Sequence, residues 1–391
     1  MTAFEPGRLG PLTLRNRIIK AATFEGRTRH GEVTPALVDF HAAVARGGAA
    51  MTTVAYCAVS PGGRVFRDCI VLDEAAVPGL RRLTDAVHAE GAAASAQLGH
   101  AGLVADARSN GVRSLAPSRR FSPVAKGVVP AATASDLQQV TQDFVRAARC
   151  AVEAEFDCVE VHVGHNYLLS SFLSPNLNKR KDEYGGSAHH RARFPREVLR
   201  AVRDAVGDRA AVLAKLNMSD GVPGGLWLDE SIEVARLIEA DGSVDALELT
   251  GGSSLLNGMY FFRGEVPIDD FARTQPAWVR PAVRPFLRRI MPTYPFEEAF
   301  FLPYARQFRA AVDLPLVLLG GVNRLDTVEG AIDEGFAFVA MARALLREPD
   351  LPRRWQSSDV GESLCIHCNK CAPTIYSRDG TRCVLVRGTT S

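Results

Sequence analysis

Short runs of β-branched residues alternate with longer segments of helical period along most of the chain, and this alternation limits its fold more than any other feature. Eight apolar runs predict buried strands, at residues 17–23, 50–57, 92–98, 158–163, 211–217, 245–249, 314–319 and 336–341. Helical patterns separate them, at residues 35–46, 76–90, 137–155, 193–206, 230–241, 303–311 and 325–334. Eight such βα units predict an α/β protein with a (β/α)8 TIM barrel. A doubly wound sheet is the alternative, but its GxGxxG fingerprint is missing after the first strand.

Two segments do not fit the barrel pattern. Residues 253–302 are rich in Phe, Arg and Pro and are too apolar for a loose loop, so they predict a subdomain inserted after strand 6. A packed surface elaboration or a subunit contact is the alternative. Because Pro281 and Pro285 fall inside this segment, we expect no regular helix there. The domain prediction is therefore a barrel over residues 1–355 and a short Cys-rich tail, residues 356–391, packed on it.

Composition narrows the classes of function. The 391 residues are 47% hydrophobic, and Lys+Arg 46 against Asp+Glu 44 are interspersed, so we expect a globular protein that binds no nucleic acid. No basic segment precedes an apolar stretch at the N-terminus, and no run approaches the roughly 18 apolar residues of a membrane helix. We therefore expect a cytoplasmic protein with no membrane partner. A homo-oligomer stays open.

The predicted carboxyl ends of the strands are unusually polar. Strand 3 ends in Gln97, strand 4 is followed by His162, His165 and Tyr167, and strand 5 carries Lys215. Reactive groups of (β/α)8 enzymes sit at this face of the barrel. These side chains are therefore the candidate site.

The last two strands carry the pattern of a phosphate site. Gly320 and Gly321 follow strand 7, and Ala342 and Arg343 begin a helix after strand 8. Backbone N–H groups approach an anion closely where no side chain intervenes, and a guanidinium adds a charge-assisted fork. A plain turn is the alternative reading of the Gly-Gly pair. With the glutamine and lysine of strands 3 and 5, the cradle would suit a phosphorylated flavin.

The chain resembles the old yellow enzyme family of FMN-dependent oxidoreductases over nearly its whole length, from LRNRIIKAA to ARALLREPDLP. The most specific piece is HVGHNYLLSSFLSPNLNKRKDEYGG, followed by Arg191 and Phe194. AQLGHAG and EVARLIEADGSVDALELTGG are similar as well. The resemblance implies FMN as cofactor and NADH or NADPH as reductant.

The resemblance also implies roles for single residues around the flavin. Gln97 would bond the pyrimidine edge, Lys215 would lie near N1 and O2 and stabilise the anionic reduced ring, and Gly321 and Arg343 would take the phosphate. Backbone contacts to the ring would come from three residues: Ala22, Thr23 and Tyr56. Many relatives carry Thr or Cys after strand 1, where this chain has Phe24. Since Phe cannot donate a hydrogen bond, an offset that makes Thr23 the contact is the alternative.

In the family, the two histidines of this loop donate hydrogen bonds to the oxygen of a substrate lying on the flavin, which gives His162 and His165 that role here. Hydride transfer to an enone places charge on that oxygen, and fixed donors stabilise it. Tyr167 keeps its proton at pH 7 and would deliver it to the α-carbon. The alternatives are structural histidines or a zinc site, for which His100 is the nearest third ligand.

The tail contains four cysteines within nineteen positions: Cys365, Cys368, Cys371 and Cys383. Three thiolates in one tight run with a distant fourth are closer to iron–sulfur spacing than to paired zinc knuckles. The tail resembles the cluster segment of the 2,4-dienoyl-CoA reductases and trimethylamine dehydrogenase, which implies a [4Fe-4S] centre and an electron-transfer partner. Zinc and free thiols remain the alternatives.

Together these features predict an FMN-dependent oxidoreductase that transfers hydride from NAD(P)H through flavin N5 to the activated C=C bond of a small α,β-unsaturated carbonyl compound. One alternative keeps the fold and reverses the chemistry, as a dehydrogenase of amines or C–C bonds that passes electrons to an iron–sulfur centre. Another is a flavin- or metal-binding protein without turnover.

Overall fold

Eight parallel strands close into a barrel in the computed structural model, which describes residues 2–357 and 360–386. In chain order they are β1 Ile18–Lys20, β2 Met51–Ala58, β3 Ala93–Gly99, β4 Cys158–Val163, β5 Ala211–Asn217, β6 Ala246–Thr250, β7 Leu316–Leu319 and β8 Phe338–Met341. The barrel closes because β1 pairs with both β8 and β2. The predicted (β/α)8 barrel is confirmed, and β2, β4 and β5 are buried along their whole length, as expected where helices cover a parallel sheet.

Helices surround the barrel in the predicted alternation. They are α1 Pro35–Arg46, α2 Val77–His88, α3 Ala134–Glu153, α4 Arg193–Val206, α5 Leu228–Asp241, α6 Leu302–Arg309, α7 Leu325–Asp333, α8 Arg343–Arg347 and α9 Leu351–Ser357. Local signals fix their starts: Thr34 caps α1 ahead of a proline in its first turn, and Thr133 and Asp136 form a capping box at α3. No described helix is long and apolar enough to cross a membrane.

Smaller elements decorate the two ends of the barrel. Three hairpins pair Gly7–Leu9 with Leu12–Leu14, Thr28–Arg29 with Glu32–Val33, and Arg120–Ser122 with Gly127–Val129, and Ile70–Val71 adds an outer strand to β2. Short helices cover Ala107–Asn110, Leu168–Leu173 and Ala188–Arg191. Leu9 and Leu14 of the first hairpin pack with Phe338 and the amino-terminal residues of other strands. That end is therefore closed by an apolar plug, which leaves the carboxyl end for a site.

The insertion after β6 contains three helices: Met259–Phe262, Ile268–Arg273 and Arg280–Ile290. The expectation that Pro281 and Pro285 prevent a regular helix is wrong. Pro281 lies in the first turn, where its missing N–H has no partner to lose, and Pro285 then removes one bond from a helix that has no buried side chain among its described residues.

Candidate active site at the carboxyl end of the barrel

The loop after β4 is held in a strained turn. His165 and Asn166 both have left-handed backbones, with φ 58° and 57°, a conformation that costs a non-glycine residue about 1–3 kcal/mol. Two side chains offset this cost, since Asn217 Oδ1 accepts from the His165 N–H at 3.0 Å and Asp220 Oδ1 accepts from Asn166 Nδ2 at 3.0 Å. Strain maintained by a dedicated network is typical of a functional loop.

The turn brings the three predicted catalytic residues together. The ring centroids of His162 and Tyr167 are 4.6 Å apart with an interplanar angle of 85°, and those of His162 and His165 are 5.1 Å apart. Tyr56, predicted to line the cofactor, lies 5.5 Å from Tyr167. The sequence prediction that these side chains share one site therefore fits their placement, while their roles stay predictions.

Burial keeps both imidazoles neutral. Desolvation, followed by the charge of Lys215, lowers the pKa of His165 to about 3, and burial, then His165 and Lys215, lower that of His162 well below its usual value. His165 Nε2 is 2.9 Å from Thr250 Oγ1, whereas His162 Nδ1 is buried without a partner among the described residues. Burial also raises the pKa of Tyr167. At neutral pH the cluster therefore offers N–H and O–H donors and no imidazolium.

A buried lysine lies beneath this loop between two carboxylates, a group we call the Lys215 cluster. Lys215 Nζ is 2.9 Å from Glu160 Oε1 and 2.7 Å from Glu248 Oε1, and Gln97 Nε2 donates to Glu160 Oε1 at 2.6 Å. Strand register explains the grouping. Lys215 on β5 pairs directly with Glu248 on β6, and Glu160 lies on the same face of β4, two residues before the position that pairs with Lys215. Burial lowers the Lys215 pKa, but Glu160 and Glu248 outweigh it and raise it overall.

Sequence reasoning missed the carboxylates of the Lys215 cluster. Burial outweighs the nearby lysine and raises the pKa of Glu248 to about 8, so this acid keeps its proton at neutral pH. One signal was available: CVEVHV and DALEL each place a single acid inside an otherwise apolar strand. A buried carboxyl group needs a partner, and a lysine on the strand between supplies it.

A second buried lysine, also missed, lies near the end of β1. Lys20 Nζ donates to Glu25 Oε1 at 2.5 Å and to Thr53 O at 3.3 Å, and His41 Nε2 is 3.8 Å from Glu25 Oε2. Burial raises the Glu25 pKa, but Lys20 and His41 outweigh it and bring it to about 2. We call this group the Lys20 cluster.

The residues predicted to bind the flavin ring lie around the Lys20 cluster. Thr23 Oγ1 donates to Glu25 Oε1 at 3.1 Å, and Ala22 packs beside the aromatic residues of the site. Phe24, at φ 52°, packs its ring 6.1 Å from Tyr56 and 5.2 Å from Phe66. The phenylalanine at the usual Thr or Cys position is thus part of an aromatic wall.

The glycines predicted to cradle a phosphate are packed against aromatic side chains. Gly320 and Gly321 have φ of 119° and 77°, and a Cβ atom on them would lie 2.5 Å from Phe301 and from Phe300 respectively. Their backbone conformation requires glycine. In the structure, the space that a Cβ atom would take at these two glycines is occupied by the side chains of Phe301 and Phe300.

Arg343, the predicted phosphate ligand, follows Ala342 and is held by the insertion and the tail. Its Nη1 donates to Arg263 O at 3.1 Å and to Asn369 Oδ1. Asn369 Nδ2 in turn donates to Arg263 O at 2.7 Å. A phosphate role for Arg343 stays a prediction.

The tail packs beside the barrel mouth. Thr381 donates through its backbone N–H to Glu25 O at 2.7 Å and through its hydroxyl to Phe24 O at 2.6 Å, while the His367 ring stacks on Phe296 with centroids 3.3 Å apart. The four cysteines are free and partly buried. Within residues 2–357 and 360–386, no three His, Cys, Asp or Glu side chains are grouped to hold a metal ion, so the predicted tail centre stays a prediction.

The described residues likewise give the zinc reading of the histidine pair no third ligand. His100, the nearest candidate, lies buried, and its Nδ1 accepts from the Gly102 N–H at 3.2 Å. What remains is a strained loop of neutral donors above a buried cation, at the open end of a barrel.

Comparison with known proteins identifies the class of this site. Residues 2–249 match the model of the NADH:flavin oxidoreductase / NADH oxidase family. The chain belongs to this family. The family's cofactor is FMN and its reductant is NADH or NADPH, so the predicted family, fold, FMN and nicotinamide reductant are confirmed, while the iron–sulfur centre stays a prediction.

Three relatives illustrate the range of the family. A 4,4'-dithiodibutanoate disulfide reductase from Rhodococcus erythropolis is 66% identical over 98% of this chain and 94% of its own. A metal reductase from Desulforamulus reducens is 33% identical over 98% of this chain and 53% of its own. The solved complex of a 2-naphthoyl-CoA reductase with 2-naphthoyl-CoA has a TM-score of 0.81 and 25% identity, over 97% of this chain and 56% of its own. The chain thus spans about half the length of the last two.

The residues at the ring end of the site fit FMN. Lys215 supplies a buried cation, Gln97 an amide beside it, and His162 Nδ1 is a buried polar atom without a partner among the described residues. Such a donor set suits a ring that becomes anionic on reduction. At the phosphate end, Arg343 is instead bonded to the insertion and the tail.

Proposed function

We propose that this NAD(P)H-dependent flavin oxidoreductase reduces a small organic disulfide that carries carboxylate groups. The observation that carries the proposal is the cluster of two neutral histidines and Tyr167, taken with the 66% identity to a disulfide reductase over 98% of the chain. The cluster offers donors to a sulfur or oxygen atom on which negative charge develops.

The charge balance of the reaction explains why such donors are needed. A disulfide that takes up a hydride loses its S–S bond and gives one thiol and one thiolate, and the thiolate then takes one proton to give the second thiol. His162 and His165, held neutral by burial, each present one N–H to the leaving sulfur. Neutral donors stabilise the thiolate without protonating other groups in the site.

Tyr167 is the proton donor of the proposal. Burial raises the pKa of its hydroxyl, so the phenol holds its proton until charge develops on the substrate. Its ring packs edge-on against His162, which fixes the hydroxyl relative to the imidazole. A proton from solvent would then restore the phenol.

FMN, when bound, would supply the hydride chemistry that links NAD(P)H to the substrate. Gln97 and Lys215 would hold the pyrimidine edge, the backbone of Ala22 and Thr23 would line the ring, and the Lys215 charge would stabilise its reduced form. The aromatic side chains of Phe24, Tyr56 and Tyr167, which pack against one another, would limit the access of water to a bound ring.

An anaerobic assay with 4,4'-dithiodibutanoate tests the proposal. We expect two thiols for each NAD(P)H oxidised. His162→Ala and His165→Ala should each retain FMN and lose about 10²-fold in turnover, the usual effect of removing one such donor. His189→Ala, at an exposed histidine on the barrel surface, is the matched control and should keep wild-type turnover. Full activity in both site variants would refute the assigned role.

A second substrate class, activated C=C bonds, is favoured by the position of Tyr167. The same donors would bind the oxygen of an enone, and Tyr167 would protonate the α-carbon after hydride reaches the β-carbon. Enones offered as oxidants in the same assay separate the two classes. Reoxidation by enones together with inertness toward disulfides would replace the first proposal by the second.

A further inference from the structure

A cavity of about 580 Å³ lies beside the barrel mouth, separate from the histidine cluster. It is bounded by the loop that follows β2, by the segment after β3, and by the hairpin residue His30 after β1. Because all three segments follow the carboxyl ends of neighbouring strands, the cavity opens on the catalytic face. Its volume falls in the range of small-molecule sites.

Three arginines line this cavity, and two of them have free guanidinium groups. Arg64 donates to Pro61 O at 3.2 Å, to Arg67 O at 3.0 Å and to Asn110 O at 3.3 Å. The side chains of Arg67 and Arg108 are exposed and make no hydrogen bond or ion pair with the part of the chain that the structure describes. Two unpaired guanidinium forks therefore face an open concavity.

Asn110 gives a second, independent sign of a ligand. Its side chain is 8% exposed and lines the cavity. Nδ2 donates to Arg64 O at 2.7 Å, while the buried Oδ1 has no partner among the described residues. A buried acceptor left without a donor costs about 1–3 kcal/mol, so a ligand that brings a hydroxyl, an N–H group or a bound water would be stabilised there.

The cavity is preformed. The two loops are joined by hydrogen bonds from Asp106 N to Val65 O at 2.7 Å and from Arg67 N to Ser109 Oγ at 3.2 Å. Ala101 N also donates to Gly63 O at 2.8 Å. A ligand would bind without first ordering the walls, which favours affinity.

One loop connects this cavity to the proposed active site. Val65 and Phe66 pack with the aromatic residues around Tyr167, and Tyr56 donates from its hydroxyl to Gly63 O at 2.8 Å. Arg64 and its neighbours on the same loop face the cavity. A molecule with its reacting end at Tyr167 therefore needs to extend only around this loop to reach the arginines.

We propose that the cavity is a subsite for an anionic group at the far end of the ligand that reacts at the histidine cluster. The anion is either a carboxylate of the disulfide substrate or a phosphate of the nicotinamide dinucleotide. Arg67 and Arg108 bind it through charge-assisted hydrogen bonds, and Asn110 Oδ1 accepts from a neighbouring donor. The substrate arm of this inference rests on the proposed function, whereas the nicotinamide arm rests on the family alone.

The double variant Arg67→Met/Arg108→Met of the FMN-loaded enzyme tests the proposal, with Arg29→Met as control. Arg29 is exposed beside His30 but does not line the cavity, so it reports the effect of charge alone. Flavin reduction is followed by stopped flow with NADPH and with NADH. Reoxidation is followed with 4,4'-dithiodibutanoate and with its uncharged dimethyl ester.

We expect the half-saturating concentration of one anionic ligand to rise about tenfold or more in the double variant, since charged hydrogen bonds contribute about 1.5–3 kcal/mol each, while limiting rates change less than twofold. A rise for the disulfide and not for its ester assigns the carboxylate. A rise for NADPH beyond that for NADH assigns its extra phosphate, and an equal rise for both assigns the pyrophosphate. Unchanged half-saturation for all four compounds, or an equal rise in Arg29→Met, overturns the subsite. Failure of the disulfide to reoxidise the wild-type enzyme overturns the proposed function instead, and the nicotinamide arm then decides the subsite.

Discussion

The two buried lysines of the barrel have similar surroundings, but their pKa values are shifted in opposite directions. Lys20 and Lys215 are both fully buried, and each contacts a carboxylate within 3 Å. Burial lowers the pKa of Lys20 more than Glu25 restores it, whereas two carboxylates raise that of Lys215 despite burial. One carboxylate thus does not compensate for the hydration that a buried ammonium group loses. Two carboxylates do compensate for it, but one of them, Glu248, then keeps its proton.

The two clusters also differ in how their carboxyl groups are bound. In the Lys20 cluster, Glu25 accepts three hydrogen bonds, from Lys20, from Thr23 and from the Ala55 N–H at 2.6 Å, and His41 Nε2 lies 3.8 Å from it. We expect Glu25 to act structurally, because protein donors already occupy both of its oxygens. The Lys215 cluster has two acids for one lysine, and the raised pKa of Glu248 keeps a proton on that acid next to the proposed ring site.

Lys215→Met should have the largest effect. Removing the cation leaves Glu160 and Glu248 buried without it, which we expect to lower the free energy of unfolding by about 3–5 kcal/mol. Flavin reduction by NAD(P)H should slow, and the flavin potential should fall, because the reduced ring loses its fixed cation. Denaturant titration and redox titration measure the two effects, and Lys215→Arg is the charge-conserving control. A wild-type potential in Lys215→Met would remove the lysine from the flavin site.

Lys20→Met should cost less and leave catalysis alone. Glu25 keeps its bonds from the Ala55 N–H and Thr23, so we expect a loss of about 1.5–3 kcal/mol, the contribution of one charged hydrogen bond. Stopped-flow reduction of the flavin should stay within twofold of wild type. Slower flavin reduction in Lys20→Met would show that the Lys20 cluster, like the Lys215 cluster, affects the flavin.

Glu248→Gln should flatten the pH dependence of stability. The pKa of Glu248 is raised in the folded protein from 4.5 to about 8, so between these values the folded state binds the proton more tightly than the unfolded state. Its contribution to stability is therefore complete below pH 4.5 and is lost as pH rises toward 8. Denaturant midpoints at pH 5 and pH 8 should differ less in the variant than in wild type. Glu248→Ala, which also loses the shape of the side chain, separates packing from titration.

The smallest expected effect concerns the pH profile of kcat, which should stay flat where a free histidine would titrate. Because the pKa of His165 is about 3 and that of His162 is also lowered, turnover should show no acid limb near pH 6.5. Their contribution to stability is present above the unfolded value of 6.5 and declines as pH falls toward 3. A pH profile of kcat from 5 to 8 checks this. A limb centred near 6.5 would mean that an imidazolium forms in the working site.

The strands were predictable because their apolar runs are local. β4 and β5 begin and end where the sequence predicted, and the histidine loop follows from β4 alone. The helix over Arg280–Ile290 was not predicted, because the two prolines were read as helix breakers and the first-turn position of Pro281, where proline is favoured, depends on where the helix begins.

The rest of the site required tertiary information. Glu160 and Glu248 are recognisable as unusual only when β4 and β6 are known to flank β5, which sequence separation conceals. The free state of Arg67 and Arg108 depends on how two loops meet, and no local pattern encodes that meeting. Site residues at the end of one strand can be predicted from the sequence of that strand. Contacts between residues of different loops cannot be predicted in this way.

The contact between Thr381 and Phe24 has a consequence for biosynthesis. The two residues are 357 positions apart, and Arg27 reaches Thr381 O across a similar interval. A ribosome that adds about 5–20 residues per second needs roughly 20–70 seconds to cover that interval. During this time the loop after β1 lacks its hydrogen bonds to Thr381. The barrel mouth near Phe24 therefore stays uncovered long after the first strands have been synthesised.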